Sequence, residues 1–269
     1  MEQAQIGDAT IRYLDVRSSS GSDRPTVLLV HGFPLDHSMW HHQIGPLADH
    51  ARVICPDLPG FGQSVMRRQE ISMPQMADHL AGLLEQLAID QVVFCGLSMG
   101  GYIGWQFWRR HPQRLAGLIA CDTRAAADTD LVARARQFSA SLVRENGSVS
   151  IADDMVQRLF GTEALESLQD EVFAVRAVIE AADPESVAQA QLAMAKRPDA
   201  TTWLPEITIP TLFVVGEHDS ITPPSEMQAM ARSVPDSVYR LIQRSGHLPP
   251  LENAEEFNRA VVEFLAELV

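Results

Sequence analysis

Runs of consecutive apolar residues recur along the chain and are typical of strands buried on both faces of a sheet. Six such runs occur: TVLLVH (26–31), RVICPD (52–57), QVVFCG (91–96), LAGLIACD (115–122), TLFVVGEHD (211–219) and SVYRLI (237–242). An earlier segment, ATIRYLDV (9–16), alternates apolar and polar residues, which predicts a half-exposed strand paired with the preceding residues as a hairpin. The polar segment SSSGSD (18–23) predicts the loop that follows this hairpin.

Amphipathic helices alternate with these strands. Two sets of apolar residues have the spacing of one helix face: Met76, Leu80, Leu83, Leu84 and Leu87, and then Phe257, Val261, Phe264, Leu265 and Leu268. Asn253 and Glu256 precede the second set with the spacing of a capping box. This alternation predicts an α/β fold, with a mostly parallel sheet of eight strands and helices on both faces. Such sheets place their active sites at the carboxyl ends of the strands.

Residues 124–205 interrupt the alternation, because they contain no strand-like run. They contain several helix patterns, for example Leu131, Val132, Ala135, Phe138 and Leu142. A crossover between two parallel strands needs only one helix. We therefore predict a helical cap subdomain at 124–205, inserted after the sixth strand into a core formed by residues 1–123 and 206–269.

Composition and charge narrow the classes of function. The chain has 269 residues and a formal net charge of −14, from 21 basic and 35 acidic side chains. This excess argues against nucleic acid or an anionic membrane as a partner, because both bind positive patches. No apolar run is long enough to span a bilayer, and the N-terminus lacks the features of a signal peptide. We expect a cytoplasmic protein, either a monomer or a small homo-oligomer.

The cysteines and histidines do not indicate a metal site. Cys55, Cys95 and Cys121 each lie at the end of a strand-like run, which predicts small buried side chains in a reducing compartment. No group of cysteines and histidines has metal-ligand spacing. We therefore expect neither a metal nor a cofactor.

The segment GLSMGG (96–101) joins the strand QVVFCG to a predicted helix. The pattern G-x-S-x-G at such a junction is the nucleophile elbow, in which a sharp turn exposes the serine. Gly96 and Gly100 supply the space that this turn needs, and the helix directs its N-terminal amides toward the same point. Ser98 is therefore the candidate nucleophile.

A serine nucleophile requires a base and a carboxylate that orients the base. His247 lies in a glycine-flanked loop after the last strand and is the candidate base. Asp219, at the carboxyl end of the preceding strand, is the candidate carboxylate. Glu217 and Asp122 are competitors, and Asp122 is the second choice because it also ends a core strand.

The order Ser98, Asp219, His247 resembles that of the α/β-hydrolases. Two further motifs extend this resemblance over essentially the whole chain. HGFP (31–34) resembles the oxyanion turn after the third strand, and DLPGFGQS (57–64) resembles the D-x-x-G-x-G-x-S loop after the fourth. The resemblance implies an α/β-hydrolase fold with a helical cap.

The resemblance also implies roles for residues near the nucleophile. It assigns the backbone amides of Phe33 and Met99 to the oxyanion hole, and removal of one such donor typically lowers the rate ~10²- to 10³-fold. His31 is expected to brace the oxyanion turn. Asp57 and Ser64 are expected to hold their own loop.

Within the superfamily the chain is most similar to the serine esterase and lactonase branch. This branch includes 3-oxoadipate enol-lactonases, aryl esterases, perhydrolase-like enzymes and enzymes that open N-acyl homoserine lactones. The segment CDTRAAADT (121–129) resembles the enol-lactonases, and Pro34 is a feature of perhydrolase-like members. A serine at the elbow disfavours haloalkane dehalogenases and epoxide hydrolases, which use an aspartate there.

The resemblance thus implies hydrolysis of a small ester or lactone through an acyl-enzyme on Ser98. Alternatives are a cofactor-free perhydrolase or haloperoxidase activity and a carbon–carbon bond hydrolase with the same triad. A non-catalytic ligand receptor is a more remote alternative. We expect the substrate-binding wall to include Phe33, Met99, Phe138 and Trp203.

Overall fold

The structure is a computed structural model that describes residues 1–17, 24–67 and 71–268. A nine-stranded sheet forms its centre. The strands are β1 (Glu2–Ile6), β2 (Ala9–Val16), β3 (Thr26–Val30), β4 (Arg52–Pro56), β5 (Val65–Met66), β6 (Val92–Leu97), β7 (Leu115–Cys121), β8 (Thr211–Gly216) and β9 (Val238–Ile242). All eight predicted strands are present. The two-residue β5 has no signal in the sequence.

The strand order is β1-β2-β4-β3-β6-β7-β8-β9, and β5 pairs with β2. β1 and β2 form the predicted antiparallel hairpin, and β2 is also antiparallel to β4. Every pairing from β4 to β9 along this order is parallel. The predicted loop at 18–23 lies outside the described residues.

The parallel strands are covered on both faces. Every residue of β6 and β8 is buried, and successive side chains of a strand point to opposite faces. Helices must therefore pack on each side, as the continuous apolar runs predict.

Eleven α-helices occur in the described ranges. They are α1 (His41–Ala48), α2 (Met73–Gln86), α3 (Met99–Arg110), α4 (Asp130–Asn146), α5 (Val149–Leu159), α6 (Thr162–Ser167), α7 (Gln169–Ala181), α8 (Pro184–Ala195), α9 (Pro224–Ser233), α10 (Pro249–Glu252) and α11 (Ala254–Ala266). Short 3₁₀-helices span His37–Trp40, Pro112–Arg114 and Thr201–Glu206. Within these ranges, no helix combines the length and apolar character needed to cross a membrane.

The stretch between β7 and β8 is helical, as predicted. Residues 124–205 contain α4 to α8 and no strand, and we call them the helical insertion. The insertion follows the seventh strand in chain order, not the sixth, because β5 adds one strand to the count. Inside it α4 packs against α8, and Arg144 binds Glu185 through two hydrogen bonds of 2.8 and 2.7 Å.

The apolar pattern of α4 does not mark its buried face. Leu131 and Phe138 are 78% and 72% exposed, whereas Ala140 and Val143 are buried. The helix packs against α8 and α5 through a different side. The apolar spacing therefore identifies the helix but not its buried side.

The loop after β4 is held by its own side chains, as expected. The Asp57 carboxylate accepts hydrogen bonds from the backbone N–H groups of His37 and Gln63. Ser64 donates to the Asp57 carbonyl and accepts from the Arg12 N–H. These contacts tie the loop to β2.

The three cysteines are buried and free. Burial raises the pKa of the Cys55 and Cys121 thiols well above the ordinary value. The Sγ atoms of Cys95 and Cys121 lie 3.8 Å apart, which is a contact between thiols. The cysteines therefore act as small core residues, as predicted.

Two glycines allow α3 to start against the sheet. A Cβ atom on Gly100 would collide with the carbonyl oxygen of Val30, and one on Gly96 would collide with the carbonyl group of Gly100. Backbone atoms cannot move away as the end of a flexible side chain can. The junction between β6 and α3 therefore requires glycine at both positions.

We expect Gly100→Ala to lower the free energy of unfolding by about 2 kcal/mol or more, because the new methyl group overpacks rigid backbone. Gly45→Ala is the matched control, since Gly45 lies in α1 with open space around its Cβ position. That change should raise stability by up to about 1 kcal/mol through helix propensity. Urea denaturation of both variants checks this, and similar effects at the two positions would contradict the steric argument.

Candidate active site

Ser98 occupies a strained turn between β6 and α3. Its backbone has φ 53° and ψ −111°, a left-handed region that non-glycine residues rarely adopt. The Ser98 N–H donates to the carbonyl of Cys121 at 2.9 Å, and Thr123 Oγ1 donates to the Ser98 carbonyl at 2.7 Å. These bonds from the end of β7 hold the turn in place. The side chain of Ser98 faces a cavity.

His247 and Asp219 form a buried hydrogen-bonded pair. His247 Nδ1 lies 2.8 Å from Asp219 Oδ2, and both residues are almost completely buried. Asp219 Oδ1 accepts from the N–H groups of Ile221 and Thr222 at 2.8 and 3.0 Å. An ionised carboxylate can only accept, so Nδ1 carries the hydrogen of this bond and Nε2 is available to Ser98.

Asp219 is held in its ionised form. Burial alone would raise the pKa of its carboxyl group. The charge of His247 and the three hydrogen bonds outweigh this effect, and the pKa lies below the ordinary value. The carboxylate can therefore stabilise a protonated imidazole.

Glu252 fixes the loop that contains His247. Its carboxylate accepts hydrogen bonds of 2.8 to 3.0 Å from the N–H groups of Gly161, Gly246 and Leu248. The His247 N–H donates to the carbonyl of Leu159, at the end of α5, at 2.9 Å. The helical insertion therefore supports the backbone on both sides of the histidine.

The two competing carboxylates have other partners. Glu217 accepts from the Arg244 N–H at 3.1 Å and lies 3.6 Å from His218 in an ion pair. Asp122 accepts from the Gly216 N–H at 2.9 Å. Of the three carboxylates, Asp219 is the one hydrogen-bonded to His247.

A cavity of about 420 Å³ lies between the core and the helical insertion. Phe33, Ser98 and His247 meet in its wall, so the structure brings together residues from three separate loops. The other lining residues are Tyr102, Leu131, Val132, Ala135, Arg136, Ser139, Ile151, Asp154, Met155, Arg158, Leu159, Gln191, Met194 and Ile221. Met99 is the first residue of α3. Its N–H is therefore one of the N–H groups at a helix start that have no carbonyl partner within the helix.

Three side chains that we expected in the cavity wall are not part of it. The Met99 side chain is buried in the core, and Phe138 points outward on α4. Trp203 lies in a 3₁₀-helix, where the guanidinium of Arg109 stacks 5.7 Å from its ring centroid. These expectations are therefore wrong for Met99, Phe138 and Trp203 as wall residues, whereas Phe33 lines the cavity.

The wall residues that the sequence did not reveal come mostly from α4, α5 and α8. Arg136, Arg158 and Gln191 are polar and have no motif around them. The sequence contains one signal for these residues, the period of the helix. Positions 132, 135, 136 and 139 share one side of α4 and could have been grouped together. That period does not indicate which side meets the cavity.

Three groups of histidine and carboxylate side chains in the described ranges have ligand atoms within 4.8 Å of one another. One comprises Asp122, Asp219 and His247. The others are Asp36 with His37 and Asp57, and His41 with His42 and Glu171. The last two are not part of the cavity wall. The expectation that the protein needs no metal or cofactor stays a prediction.

Comparisons with known proteins identify the fold. The family model for the alpha/beta hydrolase fold matches residues 25–254. A thermophilic esterase from Thermogutta terrifontis, solved with malate bound, has a TM-score of 0.95 and 41% sequence identity, over 100% of this chain and 99% of that one. The enol-lactonase from Burkholderia xenovorans LB400 has a TM-score of 0.91 and 28% identity, over 98% and 100% of the two chains.

A relative found by sequence is similar over most of its length. The 3-oxoadipate enol-lactonase 2 of Acinetobacter baylyi is 30% identical over 240 residues, which is 89% of this chain and 88% of that protein. These matches confirm the fold and the resemblance to esterases and lactonases. The chain belongs to the α/β hydrolase fold family.

Proposed function

We propose that the protein is a serine hydrolase that cleaves the carboxylic ester bond of a small ester or lactone. Relatives named esterase and enol-lactonase indicate a carboxylic ester hydrolase. The observation that carries the proposal is the buried His247–Asp219 pair in the same cavity as a serine on a strained turn. That arrangement provides a nucleophile, its base and the group that orients the base.

Acylation begins when His247 Nε2 takes the proton of Ser98 Oγ, which attacks the carbonyl carbon of the ester. The oxygen of the tetrahedral intermediate becomes negative and accepts hydrogen bonds from the N–H groups of Phe33 and Met99. Asp219 stabilises the protonated imidazole. His247 then gives the proton to the leaving alkoxide, and the acyl group stays on Ser98.

Deacylation repeats these steps with water as the nucleophile. His247 takes a proton from water, the hydroxide attacks the acyl carbon, and Ser98 leaves with the proton returned by the imidazole. In a lactone the leaving alcohol and the acyl group belong to one molecule, so the alcohol stays near the site until water has attacked. The same residues therefore serve both linear and cyclic esters.

The charge of the cavity favours a substrate with an acidic group. Arg136 donates from Nε to Asp128 at 2.6 Å and from Nη1 to Gln191 at 3.1 Å. Among the described residues, no acceptor binds its Nη2 group. Asp128 also forms an ion pair with Arg197 at 2.7 Å. One buried carboxylate therefore pairs with two guanidinium groups, and positive charge remains at the cavity wall.

This local positive charge contrasts with the net charge of −14 for the whole chain. Arg158 adds a second guanidinium to the cavity wall, and Asp154, 3.7 Å away, only partly offsets it. A carboxylate on the acyl or alcohol part of the substrate would bind Arg136 through charge-assisted hydrogen bonds. An enol-lactone with a free carboxylate fits this cavity better than a purely aliphatic ester.

We expect Ser98→Ala to lower kcat by at least about 10⁴-fold, because no other group in the site replaces the nucleophile. Proton release in a pH-stat, with linear esters, enol-lactones and N-acyl homoserine lactones as substrates, measures this. Carbon–carbon bond substrates and peracid formation complete the panel. Retained ester hydrolysis in the variant would contradict the acyl-enzyme, and a wild type that binds these compounds without turnover would indicate a receptor.

The rate should fall as the pH is lowered, because a protonated imidazole cannot accept the proton of Ser98. The measurement is kcat/KM over the interval from about pH 5 to 8, in which histidine side chains in general can change charge. Asp219 stays ionised there, since its pKa is below the ordinary value. A profile that is flat over this interval, measured where chemistry limits the rate, would exclude His247 as the base.

For a substrate with a carboxylate, Arg136→Gln should raise KM about tenfold or more, since a hydrogen bond between charged groups is lost. A neutral ester of the same length should be affected little. The matched control is Arg134→Gln, because Arg134 lies exposed on the same helix and does not line the cavity. Equal effects on charged and neutral substrates would show that Arg136 has only a structural role.

A further inference from the structure

Asp122 is a buried carboxyl group that the proposed mechanism does not use. It directly follows β7 and is completely buried. Its backbone has φ 44°, in the left-handed region, so the chain accepts strain to turn at this residue. The Asp122 N–H donates to the carbonyl of Val214, which ties the turn to β8.

The hydrogen bonds of Asp122 leave one oxygen unexplained. Oδ1 accepts from the Gly216 N–H at 2.9 Å. Oδ2 is buried, and no donor among the described residues reaches it. A carboxyl oxygen of Asp122 does lie within 4.8 Å of a carboxyl oxygen of Asp219, so the two buried carboxyl groups are direct neighbours. Two ionised carboxylates in such contact would repel each other, with no water to screen them.

The surroundings of Asp122 also disfavour a second negative charge. Burial is the largest cause that raises its pKa well above the ordinary value, followed by the charge of Asp219, with a further contribution from Glu252. Tyr239 and Cys121 also face it, and its charge would raise the pKa of both. The His247 imidazole is the third member of this group, and its Nδ1 is already hydrogen-bonded to Asp219.

We propose that Asp122 is a neutral carboxylic acid whose Oδ2–H donates a hydrogen bond to the Asp219 carboxylate, and that it acts as a positioning residue for the His247–Asp219 pair. This inference rests on the proposed function, because it assigns a role in the same site. It also explains the buried oxygen, since a protonated Oδ2 has an acceptor where an ionised one has no donor.

The hydrogen bond completes the set of partners around Asp219. Ile221 and Thr222 donate from one side, His247 donates to Oδ2, and Asp122 supplies a fourth donor. A carboxylate held by four donors cannot rotate away from the imidazole. Because the hydroxyl dipole of Asp122 also stabilises the negative charge, it moderates the attraction of Asp219 for the protonated histidine.

Infrared spectroscopy tests the protonation state without any substrate. We expect Asp122→Asn to remove the carbonyl stretch of a neutral carboxylic acid that wild-type protein shows at neutral pH. Asp57→Asn is the matched control, because Asp57 is equally buried but its pKa is lowered by His37 and backbone donors despite its burial. That variant should keep the band. An unchanged band in Asp122→Asn would overturn the proposal.

Kinetics test the positioning role. Asp122→Asn keeps an N–H donor toward Asp219 and should retain kcat within about threefold, whereas Asp122→Ala should lower kcat ~10-fold or more with little change in KM. In Asp122→Ala the acidic limb of kcat/KM should also move to higher pH, because Asp219 without its donor stabilises the protonated imidazole more strongly. A merely structural role would not move this limb.

The outcomes separate the two proposals. If Asp122→Ala, folded as judged by its thermal transition, has the wild-type pH profile and kcat, the positioning role is wrong. If Asp122→Asn is as impaired as Asp122→Ala, the donor is not what matters and the proposal also fails. If wild type cleaves no ester but loses the infrared band in Asp122→Asn, the proposed function fails while the neutral carboxyl group stands.

Discussion

The buried hydrogen bond between His247 and Asp219 is the contact on which the candidate site depends. It is possible because β8 and β9 are parallel neighbours, with Gly216 opposite Ile242 at their carboxyl ends. The two loops that follow therefore emerge at the same edge of the sheet. Such a hydrogen bond is weak in water and stronger in the protein interior. Removal of either group would leave the other buried without its partner, which is strongly destabilising.

The same edge explains why the backbone of Ser98 is strained. Ser98 directly follows β6, and the turn must direct its side chain toward the cavity. At the same turn, the start of α3 lies close against the backbone of β3. Hydrogen bonds to the Cys121 carbonyl and from the Thr123 hydroxyl hold Ser98 in its unfavourable backbone angles. Contacts with the end of β7 therefore offset the strain. The arrangement places Ser98 and His247 in the wall of one cavity, with the buried Asp219 hydrogen-bonded to the histidine.

The helical insertion does more than cover this cavity. The Leu159 carbonyl binds the backbone of His247, and Glu252 connects the histidine loop to Gly161. The insertion also supplies the charged residues of the cavity wall, Arg136, Arg158 and Asp154. The helical insertion, which lines much of the cavity, is therefore directly bonded to the loop that contains His247.

Local patterns in the sequence were sufficient for the strands, most helix positions, the elbow and the histidine loop, because apolar periodicity and turn residues act over short distances. The sequence also ranked Asp219 first among the possible acids, ahead of Asp122 and Glu217, but local patterns cannot show which carboxylate reaches the histidine. Only the tertiary structure decided that Asp219 hydrogen-bonds His247 while Asp122 lies behind it.

Most residues of the cavity wall could likewise not be predicted from the sequence. Helix periodicity identified α4, and Leu131, Val132 and Ala135 of its apolar pattern line the cavity. Phe138 of the same pattern is exposed, and Arg136, outside the pattern, also lines the cavity. Which face of a helix is covered depends on the neighbours it packs against, here α8 and α5, and those contacts join residues far apart in the chain. The sequence by itself therefore determined the fold and the candidate reacting groups, and the tertiary contacts decided which carboxylate is hydrogen-bonded to His247 and which residues line the cavity.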